Sequence, residues 1–131
     1  MVLATLLVWL ASSLGSPIAL AAEQPAAPLP TIKVEDAKDV ADVQALNDLL
    51  SALSRGMTAC VDGGRPVESC RCRYPQELTN LRKGYDRFLR QHPAWKDQTL
   101  SYQYINKEGR NMSGVISIQT LRRQLESLKC E

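Results

Sequence analysis

Four cysteines, Cys60, Cys70, Cys72 and Cys130, constrain this chain more than any other feature. Their meaning depends on the redox compartment, and the N-terminus points to one. Residues 1–22 carry no charged side chain. Residues 2–10 form an apolar core of signal-peptide length, Gly15, Ser16 and Pro17 break the helix, and Ala19-Leu20-Ala21 offers a small-x-small cleavage site, with Leu20-Ala21-Ala22 one register on. No Lys or Arg precedes the apolar run, so either the terminal amine supplies the positive charge or the natural start lies further upstream. A stretch of about 20 apolar residues is long enough to span a bilayer. The helix break and the lack of flanking basic residues argue for cleavage instead, and membrane contact is expected only through this segment before it is removed. No cysteine lies near the cleavage site to accept a lipid.

In an exported chain an even set of cysteines reads as disulfides. Three pairings exist. Joining Cys70 to Cys72 closes a very tight ring and ranks last. Cys60 ends one predicted helix and Cys72 lies just before the next. In a helical hairpin those two points meet, which favours Cys60–Cys72 with Cys70–Cys130. Cys60–Cys70 with Cys72–Cys130 stays open as the alternative. Either arrangement ties the chain's end to the loop between the first two helices.

The rest of the chain follows from punctuation and periodicity. Pro25, Pro28 and Pro30 among alanines make residues 23–36 an extended leader. Residues 37–131 are left as one small α+β domain with two disulfides, containing two helices, a β-hairpin and a C-terminal helix. In the first helix Val43, Leu46, Leu50, Leu53, Met57 and Cys60 recur at spacings of three and four. Asp36, Asp39 and Asp42 crowd its start, where carboxylates cap free amides. Asp62-Gly63-Gly64 ends it, and residues 62–73 read as a loop. Pro75 suits the first turn of a second helix carrying Leu78, Leu81, Tyr85 and Phe88 or Leu89, and Pro93 stops it. Alternation over Leu100, Tyr102 and Tyr104 marks a strand across residues 99–105. A turn at Asn106-Lys107-Glu108-Gly109 returns a second strand over residues 111–117, weakened by Ser113 and Gly114. Ser117 then caps a helix marked by Ile118, Leu121, Leu125 and Leu128. Tyr102 and Tyr104 are expected to face the helices, and Thr31–Val34 is a candidate third strand.

Charge is uneven along the chain. Residues 23–62 hold three basic against seven acidic side chains, whereas residues 63–131 hold thirteen against seven. The basic excess gathers at Arg65, Arg71, Arg73, Arg82, Lys83, Arg87 and Arg90. The four-residue spacing of Arg82, Asp86 and Arg90 predicts internal pairing on one helix face. Arg71, Arg73, Arg82, Lys83, Arg87 and Arg90 form the candidate partner-binding surface, for an acidic protein or an anionic envelope polymer. No nucleic-acid motif is present.

Enzymatic parts are few. There is no serine-nucleophile motif and no phosphate-cradling glycine loop, and no spacing among Glu68, Glu77, Asp86, Asp97, Glu108 and Glu126 selects a catalytic pair. No cofactor is implied. Zinc is disfavoured because Cys-x-Cys is too tight for the usual ligand spacing, and the single histidine, His92, reads as a capping or packing residue. The competing reading is a thiol–disulfide protein using Cys70-Arg71-Cys72, in which nearby arginines lower a thiol pKa. The missing β–α–β order argues against it. Trp95 is expected to plug one end of the core. Asn111-Met112-Ser113 matches a glycosylation acceptor, a frequent coincidence. The reading that fits these parts best is a small exported protein that acts by binding.

Overall fold

Asp36 begins the largest element. Its carboxylate accepts the N–H groups of Lys38 at 2.9 Å and Asp39 at 3.2 Å, so the first free amides of the helix are satisfied by a side chain. In the computed structural model, which describes residues 30–130, this helix is α1 (Ala37–Asp62). It follows β1 (Thr31–Val34). It precedes a short helix α2 (Val67–Cys70), then α3 (Pro75–Gln91), a 3-10 turn at Pro93–Trp95, β2 (Thr99–Ile105), β3 (Asn111–Ser117) and α4 (Ile118–Ser127). The expected signal segment and most of the leader lie outside the described residues.

The three strands form one sheet in the order β1-β2-β3. β1 runs parallel to β2, with Ile32 opposite Leu100 and Val34 opposite Tyr102. β2 and β3 form the expected hairpin, in which Asn106 Oδ1 accepts the N–H of Glu108 at 3.0 Å and of Arg110 at 2.9 Å. Leu100, Tyr102 and Ile116 turn one face of the sheet inward, onto Val43, Leu46 and Leu53 of α1, Leu81 and Phe88 of α3, and Leu121 of α4. The other face carries Ile105 and Val115, 70% and 69% exposed, and no element covers it among the described residues. The domain is thus a two-layer α+β fold, helices on one side of a small sheet.

Three expectations are corrected. Thr31–Val34 belongs to the fold as an edge strand, so the domain begins before residue 37 and takes in the end of the presumed leader. The parallel β1–β2 pair with helices between them supplies the β–α–β order that the sequence did not reveal. The disulfides are Cys60–Cys70, with Cα atoms 5.8 Å apart, and Cys72–Cys130, with Cα atoms 5.4 Å apart. The cause of this pairing is α2. A helical turn inside the presumed loop carries Cys70 inward to the buried Cys60 at the end of α1. It leaves Cys72 exposed on the far side, where the chain's end arrives.

Candidate functional site

The candidate basic residues separate into three groups. Lys83, Arg87 and Arg90 lie on α3 at spacings of four and three, which puts them on one stripe. That stripe is opposite in character to the buried row Leu78, Leu81, Tyr85 and Phe88. All three cations are exposed, and none has a carboxylate within 4.0 Å among the described residues. The row that anchors them is held tightly against α1. A side chain at Gly84 would place its Cβ 2.3 Å from Leu49 Cδ1, so Leu49 fills the space that glycine leaves.

Arg82 is not part of this face. Its guanidinium donates to the carbonyl oxygens of Leu125 at 2.8 Å and Leu128 at 2.5 Å, at the C-terminal end of α4. Those carbonyls have no partner within their own helix, and a cation beside them also opposes the helix dipole. The expected pairing of Arg82 and Arg90 with Asp86 is absent among the described residues. Packing decides this, because α4 lies against the flank of α3 that bears Arg82.

Arg71 and Arg73 sit at the disulfide junction. The backbone N–H of Arg71 donates to Val67 O at 3.2 Å and that of Arg73 to Cys70 O at 3.3 Å. Arg73 is exposed in the turn before α3. Arg71 instead lines a groove of about 370 Å³ between α1 and α4. Leu50, Leu53 and Met57 form one wall of the groove, Leu121, Leu125 and Leu128 the other, and Leu81 of α3 the floor. Val67, 48% exposed, stands at its lip. Periodicity had marked every leucine here as core. It carried no sign that α1 and α4 diverge, since helix separation is a property of tertiary packing.

Cys70 and Cys72 do not form a pair. Each is bridged to a different partner, and no cysteine is free among the described residues. His92, at the end of α3, stacks on Trp95 with ring centroids 4.3 Å apart and 6° between planes, and Phe88 lies 6.0 Å from Trp95. Trp95 is half-buried against the core, so it closes one end as expected. His92 Nε2 lies 3.0 Å from Asp42 Oδ2, which also accepts from Lys38 Nζ at 2.9 Å. The Lys38 ammonium first, and His92 second, hold the Asp42 carboxyl below its ordinary pKa. The carboxylate of Asp39 also comes close, so that one side-chain atom each of Asp39, Asp42 and His92 lies within 4.8 Å of the others, although only Asp42 is in contact with Lys38 and His92.

Burial raises the pKa of Tyr85 and of Tyr102, keeping both phenols neutral inside the core. No helix among the described residues is long and apolar enough to cross a membrane. Comparison of the chain with family models, with curated proteins and with solved structures finds no match.

Proposed function

We propose that this protein is exported and works by binding an anionic partner, an acidic protein face or an anionic envelope polymer, on the α3 stripe. The observation that carries this reading is the set Lys83, Arg87 and Arg90: three exposed cations on one helix face, with no carboxylate in ion-pair reach among the described residues. An isolated surface ion pair contributes little to stability. A row of one sign instead concentrates positive potential, which speeds encounter with an anionic surface and is weakened by salt. Export is supported by the apolar segment with its cleavage site and by two disulfides, which persist in oxidising compartments.

The test uses the triple variant K83E/R87E/R90E. All three side chains point away from the core, so circular dichroism and thermal unfolding should match the parent. Capture of the partner from an envelope extract of the source cell should fall at least tenfold, and capture by the parent should weaken as salt rises. Undiminished capture by the variant rejects the proposal. Arg82 is left unchanged, because its loss would disturb α4 and confound the result.

A further inference from the structure

We propose that the groove between α1 and α4 is a binding site for a single-chain amphipathic carboxylate, with the acyl chain lying along the leucine walls and the carboxylate on Arg71. This site is separate from the α3 stripe and does not depend on the partner proposed above.

The walls are mainly apolar, with Ser54 and Thr58 interleaved on the α1 side and Gln124 and Ser127 on the α4 side. Leu50 to Met57 along α1 is seven helical rises, about 10 Å, and Leu121 to Leu128 runs a similar length along α4 and its C-cap. A volume near 370 Å³ falls in the range of small-molecule sites, which combine an apolar lining with a few placed polar groups. A channel of this length accepts a chain of roughly eight to ten carbons, judged by the 10 Å that the walls offer. An alkyl chain laid along the leucines removes their apolar surface from water and gains the usual apolar transfer free energy.

Charge selects the head group. Arg71 is the charged residue of the lining, and it has no carboxylate within 4.0 Å among the described residues. The planar guanidinium matches a carboxylate in bidentate geometry. The backbone that carries this cation is fixed. Cys70, before it, is bridged to Cys60 at the end of α1, and Cys72, after it, is bridged to Cys130 beyond α4. Arg71 is therefore cross-linked on both sides to the two elements that form the groove walls. The end of the α4 wall is further held by Arg82 on the Leu125 and Leu128 carbonyls. A site whose walls, and the backbone that bears its charge, are held in advance has less entropy to lose on binding.

The inference is tested with sodium decanoate as probe, by calorimetric titration of the full, oxidised mature protein. Binding at one site per chain is expected. Affinity should rise about fourfold per added methylene from hexanoate to decanoate, the increment for burying one CH₂, and level off once the groove is filled. Arg71→Gln should weaken decanoate at least tenfold while leaving the uncharged 1-decanol unchanged, since only the carboxylate needs the cation. Val67→Glu changes an exposed side chain, spares the core, and should repel the carboxylate with a similar loss.

The proposal is overturned by no saturable binding of decanoate, by binding indifferent to both variants, or by loss of decanol as well as decanoate in Arg71→Gln. A dimer that Val67→Glu dissociates, without decanoate binding, would assign the groove to a second copy of the chain and overturn it too. Failure of any of these leaves the α3 stripe untouched, because K83E/R87E/R90E reads a different surface.

Discussion

Two glycines test how far a single side chain can be accommodated, and they give opposite answers. Gly114 of β3 lies directly opposite Tyr102 of β2. A Cβ there would come 2.4 Å from Tyr102 Cζ and 2.6 Å from its hydroxyl oxygen. The tyrosine is 3% exposed and packed among helices, so its ring has nowhere to go. Glycine looked like a weak point in the strand when read by propensity alone, yet the ring requires it. Gly84 of α3 has an equally short contact, 2.3 Å to Leu49 Cδ1, but this is the far end of a flexible, half-buried side chain. Replacing glycine by alanine inside a helix also gains roughly 1 kcal/mol of propensity. Gly114→Ala is therefore expected to cost about 1–3 kcal/mol by overpacking, and Gly84→Ala to be close to neutral. Urea unfolding of the two variants side by side checks this. Equal losses would mean that Leu49 is as immobile as the Tyr102 ring.

At the scale of elements, the sequence was legible wherever local chemistry decides. The Asp36 cap, the Gly63–Gly64 stop, Pro75, the alternation through Leu100, Tyr102 and Tyr104, and the Ser117 cap each act within a turn or two of chain, and α1, α3, β2, β3 and α4 stand where those signals put them. Elements that depend on distant partners were not readable with the same force. β1 is four residues long and exists because β2, far along the chain, pairs with it. α2 is a single turn without a side-chain cap, and it decides the disulfide pairing. The candidate surface divides along the same line. The Lys83–Arg87–Arg90 stripe is a matter of helical spacing, whereas the role of Arg82 is set by where α4 docks. Arg82→Met keeps the apolar stem and removes both hydrogen bonds to the α4 carbonyls, so it should cost about 1–2 kcal/mol. A shift in the denaturant midpoint at constant slope would show it. An unchanged midpoint would return Arg82 to the free surface.

On the scale of the whole molecule, the two bridges are unequal in what they restrain. Cys60–Cys70 spans 10 residues, joining the end of α1 to the next turn of chain, which is near it in any compact arrangement. Cys72–Cys130 spans 58 residues and closes α3, β2, β3 and α4 into one ring. In the chain-entropy view the cost of closing a loop grows with the logarithm of its length, which gives about 3 kcal/mol for the short ring and about 4 kcal/mol for the long one. A small domain has a net stability of about 5–15 kcal/mol, so the long bridge alone is comparable to the margin by which the fold survives. The surroundings sharpen the comparison. Cys72 is exposed and Cys130 half-buried, so C72A/C130A leaves no large cavity and reports on the restraint itself. Cys60 and Cys70 are 6% and 0% exposed, so C60A/C70A adds a packing loss to the entropy term. C72A/C130A is therefore expected to lose about 4 kcal/mol while keeping its helical circular dichroism at low temperature. It should also lose decanoate affinity, because Arg71 is then tethered to only one wall of the groove. Native stability equal to the parent would show that packing of α4 into the core, and not the cross-link, holds the end of the chain.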